Sequence, residues 1–364
     1  MRRFEFTGGS SSKYWEVSQS GTQVTVHFGR IGSDGQTQTK DYGSWEDAAE
    51  RVRKLVVEKL REGYVEVEGL GSRPEDEPAV RQPSAMPPYE VPALPEDGPL
   101  AIGNVQLPAG RRLRGDPKYA PRQVGTVEQP VIWATTAPVD FAGRSLYWLR
   151  QDAAALNLVP VLLTGLEEDD PGRPWNSGEF CPTDPRRAAL IDVQQELAHA
   201  WSASVEGAAE DEEANLTPVR PFGKAFPGLA SPSTSWRDIK SDGDVLDEIR
   251  GRRVALVAAE RPADVVAAVG WMGAVNVHED PALLSAVLRS WEVRWYARLV
   301  EMGFATITLT VGNPPRDERS ALALAAEHFA FCPDNIWQGR PGIETIAAYA
   351  PGLIGSRTWR FWWD

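Results

Sequence analysis

Val24-Thr25-Val26-His27-Phe28-Gly29-Arg30-Ile31-Gly32 decides how the front of this chain folds. Val24, Val26 and Phe28 alternate with Thr25 and His27, the period-two pattern of a half-buried strand. Toward the N-terminus, Tyr14-Trp15-Glu16-Val17 reads as a partner strand, joined through a turn at Ser20-Gly21. On the other side Asp34-Gly35 is a hairpin signal that leads into the polar strand Gln36-Thr37-Gln38-Thr39-Lys40. Ser44 then offers an N-cap, with Asp47 at capping-box spacing. Ala48, Val52, Leu55, Val56 and Leu60 share one face of the helix that follows, which stops at Gly63 before a closing strand, Tyr64-Val65-Glu66-Val67. The expectation is a small antiparallel sheet with one helix packed on it.

From 71 to 99 the chain is Pro-rich and acidic, as in Arg73-Pro74-Glu75-Asp76-Glu77-Pro78, and reads as an extended linker. Arg111-Arg112-Leu113-Arg114, with Lys118 and Arg122, is the nearest approach to a basic cluster and reads as a solvated loop. Beyond it, strands and helices alternate. Val131 to Ala134 and Leu158 to Leu163 are strands flanking a helix near 142–156. Asp184-Pro185 caps a helix through Leu190, Val193, Leu197 and Trp201. Glu206 to Glu213 is an acidic solvated run, Arg253 to Ala258 a central strand, and Pro262 to Val269 a short helix. Asp280-Pro281 starts a long helix whose stripe is Leu284, Leu288, Trp291, Trp295, Leu299 and Met302. Phe304 to Val311 is a strand, Pro315 opens a helix with Leu322, Ala325 and Phe329 inward, and Trp359 to Asp364 closes an edge. The fold class is therefore α+β, a small antiparallel sheet with one helix plus a larger α/β mixed-sheet domain. The domains run 1–70, a linker 71–99, and 100–364.

The 364 residues fit roughly two domains. A net charge of −13 and a pI near 5.0 repel nucleic acid, so any contact with it must come from a local basic patch. Two cysteines make no disulfide framework, and no apolar run is long enough to span a bilayer. Met1-Arg2-Arg3-Phe4 does not lead into a signal segment, so a reducing cytoplasm is expected and a membrane is not.

Two resemblances stand on these residues. Tyr14-Trp15-Glu16, the run from Val24 to Gly32, Gly35-Gln36, Ala48-Ala49 and Lys59 through Tyr64 resemble the WGR domain, found in poly(ADP-ribose) polymerases and bacterial molybdate-regulator-like proteins. The resemblance implies a motif Trp that stacks on a DNA end and a motif Arg on its backbone. Those roles fall on Phe28 and Arg30, with Lys40 beside them. Phe for Trp departs from the motif and offers less stacking area and no N–H. Phe28 is also in phase with core positions. Gly270 to Asn276, Leu284 to Glu292, Ala326 to Asn335 and Phe361-Trp362-Trp363-Asp364 resemble domain of unknown function 4253, which implies no activity.

Ala326-Glu327-His328-Phe329-Ala330-Phe331-Cys332-Pro333-Asp334-Asn335-Ile336-Trp337 holds the densest mixture of reactive and aromatic groups. His328 and Cys332 stand one helical turn apart, with Asp334 available to orient the imidazole and Glu327 alongside; these are the candidate catalytic groups. Pro333 works against that reading by drawing Cys332 out of the helix, and the Phe-rich setting raises a thiol's pKa. Trp271, Asn276, Arg289, Glu292, Asn335 and Trp337 are candidate ligand or partner contacts. Cys181 and Cys332 with His199 and His328 lack metal-site spacing, so no metal is expected. No Walker loop, dinucleotide fingerprint or hydrolase elbow occurs, so no cofactor is expected and the balance leans away from an enzyme. The leading reading is a DNA-associated two-domain adaptor whose C-terminal domain binds a partner protein or small ligand. An antitoxin- or immunity-like protein that meets a basic partner is the alternative, and an enzyme on nucleotide or nucleic acid around His328 is a third.

Overall fold

The computed structural model describes residues 2–8, 11–20, 22–31, 35–42, 51, 52, 55, 59, 65–67, 89–119, 127–166, 170, 172–207, 216–232, 240–339 and 341–364. The chain divides into two units, Met1–Ala85 and Met86–Asp364.

The first unit is a five-stranded antiparallel sheet in the order β4-β3-β2-β1-β5. Its strands are β1 (Arg2–Gly8), β2 (Ser11–Ser20), β3 (Gln23–Arg30), β4 (Gln36–Asp41) and β5 (Val65–Val67). β1 is an addition to the sequence reading, which began the sheet at residue 14. The signal was present in Phe4 and Phe6, which alternate with polar neighbours. Phe4, Trp15, Val17 and Val24 form the core, with Val26, Phe28, Tyr42, Val52 and Leu55 packed against it. Arg51, Val52, Leu55 and Lys59 are helical, but Ser44, Asp47, Ala48, Val56 and Leu60 lie outside the described residues, as does Asp34. Gly35 takes φ +63°, and a Cβ there would stand 2.1 Å from the Tyr14 hydroxyl and 2.7 Å from the Phe28 carbonyl oxygen. Only glycine meets both the backbone and the contact.

The second unit holds an eight-stranded mixed sheet in the order β13-β12-β11-β9-β10-β8-β7-β6. These strands are β6 (Gly98–Ile102), β7 (Val105–Leu113), β8 (Ile132–Thr135), β9 (Leu158–Leu163), β10 (Arg253–Ala258), β11 (Ala297–Met302), β12 (Thr306–Val311) and β13 (Thr358–Trp362). β11 runs parallel to β9, and the other named neighbours pair antiparallel. Every residue of β8, β9 and β10 is buried, as expected where both faces of a central strand are covered. α1 (Ala142–Ala154) packs on β9 and β10, α3 (Val265–Val269) on β10, and α4 (Pro281–Trp295) on β11. α2 (Val193–Gly207) packs on α4 and on α5 (Glu318–Phe331).

Three expectations are corrected. The long stripe ends at Trp295, where Tyr296 turns left-handed (φ 51°, ψ 39°); Leu299 and Met302 belong to β11 and pair into the sheet. The single helix from Pro185 to Trp201 is a 3-10 turn over Pro185–Leu190, an extended Ile191, and then α2. Asp192 restarts the helix by accepting from Gln195 N at 3.1 Å. Arg111-Arg112-Leu113 sits in β7 and is no solvated loop: Arg112 pairs with Glu96 at 2.8 Å and Asp97 at 3.3 Å. Within the Pro-rich segment, Tyr89 donates to the Ala258 carbonyl at 3.2 Å, and Val91 and Leu94 pack on the second unit's core. Most of the acidic run Glu206–Glu213 lies outside the described residues.

Candidate functional site

Three places carry functional chemistry: a face of the first unit, the aromatic cluster around His328, and the cavities at the ends of the large sheet.

On the first unit, register fixes which side chains share a face. Lys13 opposes Arg30, Trp15 opposes Phe28, Gln36 opposes Phe28 from the other side, and Lys40 opposes Val24. Directly paired residues project from the same face, so Lys13, Phe28, Arg30 and Lys40 lie on the side of the sheet whose centre is the core of Trp15, Val17 and Val24, with Lys13 and Arg30 at one end of β3 and Lys40 toward the other. Phe28 is half-buried, part core and part surface, while Lys13, Arg30 and Lys40 are exposed. A shallow groove of about 570 Å³ runs beside them, lined by Lys13, Tyr14, Phe28, Gly29, Arg30, Gly35 and Gln36. The Lys40 ammonium stands 5.4 Å from the Tyr42 ring centre. The opposite face carries a chain the sequence reading missed: Glu16 Oε2 meets His27 Nδ1 at 2.9 Å, and His27 Nε2 meets the Tyr14 hydroxyl at 3.0 Å. Cross-strand pairing of Glu16 with His27 was its signal.

The cluster near the C-terminus is tightly packed, and most of its polar groups are bonded within it. Glu327 is fully buried, and its two oxygens accept from Arg294 at 2.7 and 2.6 Å, Trp291 Nε1 at 2.8 Å and Ala230 N at 2.6 Å. The imidazole of His328 lies among Trp291, Trp359, Phe361 and Tyr349, with ring centres 4.8 to 5.9 Å away. Burial, with Arg294 near, pushes its pKa down to about 3, so it is neutral. Its Nδ1 meets the Tyr349 hydroxyl at 3.1 Å; its Nε2 has no hydrogen-bond partner among the described residues.

Cys332 leaves the helix at φ −147°, as Pro333 requires, and its thiol donates to the Trp362 carbonyl at 2.9 Å. Burial raises the thiol's pKa far above its usual range. Asp334 does not reach His328. Its Oδ2 accepts from Asp364 N at 3.1 Å and its Oδ1 from Gln338 at 3.1 Å. Asn335 clamps β13 by donating to Arg360 O and accepting from Trp362 N.

The remaining candidates are scattered. Trp271 is buried and donates to Gly303 O at 2.8 Å, Asn276 donates to Asp364 O at 2.8 Å, and Trp337 rests edge-on against Phe329. Arg289 pairs with Asp264 at 2.5 Å, and Glu292 with Arg261 at 2.7 Å; burial raises the pKa of both carboxyls. Cys181 and Cys332 are free thiols, and no group of three metal-ligating side chains occurs among the described residues.

Residues 1–70 match the family model of the WGR domain. Residues 253–364 match that of a Domain of unknown function (DUF4253). The sheet of the second unit runs past this second match, because β9 lies between β11 and β10. Two Escherichia coli (strain K12) proteins are similar over part of the chain. One is the uncharacterized protein YfeS, 32% identical over 65 residues, covering 18% of this chain and 27% of that protein. The other is protein YehF, 36% identical over 66 residues, covering 18% and 24%. The chain thus spans about a quarter of the length of these curated relatives. A crystal structure of a Bacteroides fragilis protein shares 42% identity over 18% of this chain and 19% of that one, with a TM-score of 0.18.

One further cavity lies in the second unit. It measures about 570 Å³ and opens where the parallel strands β9 and β11 end, lined by Thr164, Arg252, Arg253, Glu301, Thr306, Arg360 and Trp362 among others. Arg252 is neutralised there by Glu301 at 2.8 Å. Arg253 spends its donors on Thr135 O at 2.7 Å and Asn176 Oδ1 at 3.2 Å.

Proposed function

We propose that the WGR domain contacts nucleic acid through the face bearing Lys13, Phe28, Arg30 and Lys40, and that the second unit holds a ligand or partner. The supporting observation is the strand register, which sets Lys13 and Arg30 beside the half-buried Phe28 at one end of β3, with Lys40 opposite Val24 toward the other end of the same face. Cations that neutralise phosphates release counterions, and a ring edge can stack on a terminal base or sugar. This local patch offsets a chain whose overall charge of −13 opposes such contact.

Phe28→Ala is expected to weaken binding to a blunt duplex by roughly 5- to 150-fold, from the ~1–3 kcal/mol of one lost stack. Lys40→Ala is expected to cut affinity without changing preference among sequences. Mobility-shift titrations with blunt, nicked and closed circular duplexes check both. Unchanged affinity in both variants would contradict the assignment. The overall acidity also suits the alternative, a basic protein partner. An enzyme centred on Cys332 finds no support, since among the described residues no base contacts its sulfur, and burial keeps it a thiol.

A further inference from the structure

At the end of the sheet opposite the β9 and β11 termini lies a second cavity, of about 460 Å³, with a different inventory. It is bounded by α1, by the start of β11 and end of β12, and by the segment around Lys240 and Asp242. Its walls bring three cations, Arg150, Lys240 and Arg298, against a single carboxylate, Asp242. Asp242 is already engaged: Arg150 Nη1 donates to both its oxygens at 2.8 and 2.6 Å, and Thr310 donates to one at 2.7 Å. Burial alone would raise the Asp242 pKa, but the Arg150 pair and Thr310 hold it below the usual carboxylate range. The carboxylate is therefore charged and spent.

That leaves an excess of positive charge in the cavity, three cations to one carboxylate. Arg150 Nη2 is buried and has no hydrogen-bond partner among the described residues. Arg298 and Lys240 are exposed, and neither side chain makes a close ion pair or hydrogen bond among the described residues, although Asp242 and Glu292 act on Arg298 from a distance. A buried guanidinium N–H without an acceptor is costly, and an anion in the cavity would supply the missing acceptor. The rim is aromatic and wet. Trp148 is 61% exposed, and Tyr147 and Tyr296 are each 37% exposed. Tyr147 and Trp148 meet edge to face with ring centres 5.4 Å apart. Exposed rings beside this excess of cations suit a ligand that is planar at one end and phosphorylated at the other.

We infer that this cavity is a binding site for a nucleoside diphosphate, with Arg150, Arg298 and Lys240 on the phosphates and Trp148 and Tyr296 against the base. The inference names the ligand class for the second unit in the reading above, and it stands apart from the nucleic-acid face of the first unit.

The test is isothermal titration of the full chain with ADP, GDP, CDP and UDP, alongside inorganic pyrophosphate, adenosine and a single-stranded oligonucleotide. At least one diphosphate should bind saturably, and at least tenfold more tightly than pyrophosphate or adenosine. Arg298→Ala and Trp148→Ala, both at exposed positions, should each weaken it tenfold or more while thermal unfolding stays unchanged. Arg298→Lys should recover part of the loss. No saturable binding by any of the four diphosphates, or binding untouched by both variants, would overturn the inference. Pyrophosphate binding as tightly as the best diphosphate would overturn the role of the rings. An oligonucleotide that displaces the diphosphate with higher affinity, and loses it in Trp148→Ala, would replace the free nucleotide with a strand. Failure of Arg30→Ala to affect duplex binding would count against the WGR reading alone, since Arg30 lies in the other unit.

Discussion

At the scale of single residues, the chemistry that attracted attention in the sequence turns out to be packing. His328 sits in a cage of rings and is neutral, its pKa pushed down to about 3 from 6.5 by burial first and Arg294 second. A histidine depressed in the folded state leaves stability intact above pH 6.5 and removes it as pH falls, because the unfolded chain takes up the proton that the native one refuses. The loss should approach roughly 3 kcal/mol by pH 4. Urea unfolding followed by tryptophan fluorescence at pH 7 and pH 4 should show it, and His328→Gln should flatten the difference; equal slopes in both proteins would contradict the account. Composition could show that reactive groups were dense here. It could not show that Tyr349, from 21 residues downstream, would occupy the place assigned to Asp334. Nor could it show that Glu327 would meet Arg294, because such pairings depend on how helices cross.

Among elements, those with local signals were legible and those decided by tertiary pairing were not. Alternation exposed β3, the Asp34-Gly35 signal pointed to β4, and Asp280-Pro281 marked the start of α4, where Asp280 accepts from Ala282 N at 2.9 Å. The end of that helix was illegible because Leu299 and Met302 continue a three- and four-residue spacing into a strand. What breaks the helix is Tyr296 in the left-handed region, a conformation that costs an L-residue about 1–2 kcal/mol. Tyr296→Gly should therefore raise the unfolding free energy by about 1 kcal/mol, read in urea melts. A loss of stability instead would mean that the ring's contacts outweigh the strain it carries. Asp192 likewise restarts a helix that hydrophobic spacing alone runs together.

For the whole molecule, the division into a small sheet unit and a larger mixed-sheet unit was readable from composition shifts and periodicity, while strand order was not. Placing β9 between β10 and β11 requires contacts between residues about 90 to 140 apart in sequence, on which local pattern is silent. The central claim is that an acidic chain carries a locally basic, half-aromatic face on its WGR domain that meets nucleic acid. It is tested most directly by fluorescence anisotropy of a labelled blunt duplex with the full chain across a salt series. The account predicts saturable binding whose affinity falls steeply with salt, and a shallower salt slope with weaker binding in Arg30→Ala, as one phosphate contact is lost. Absence of binding at low salt, or identical salt slopes for the parent and Arg30→Ala, would contradict it.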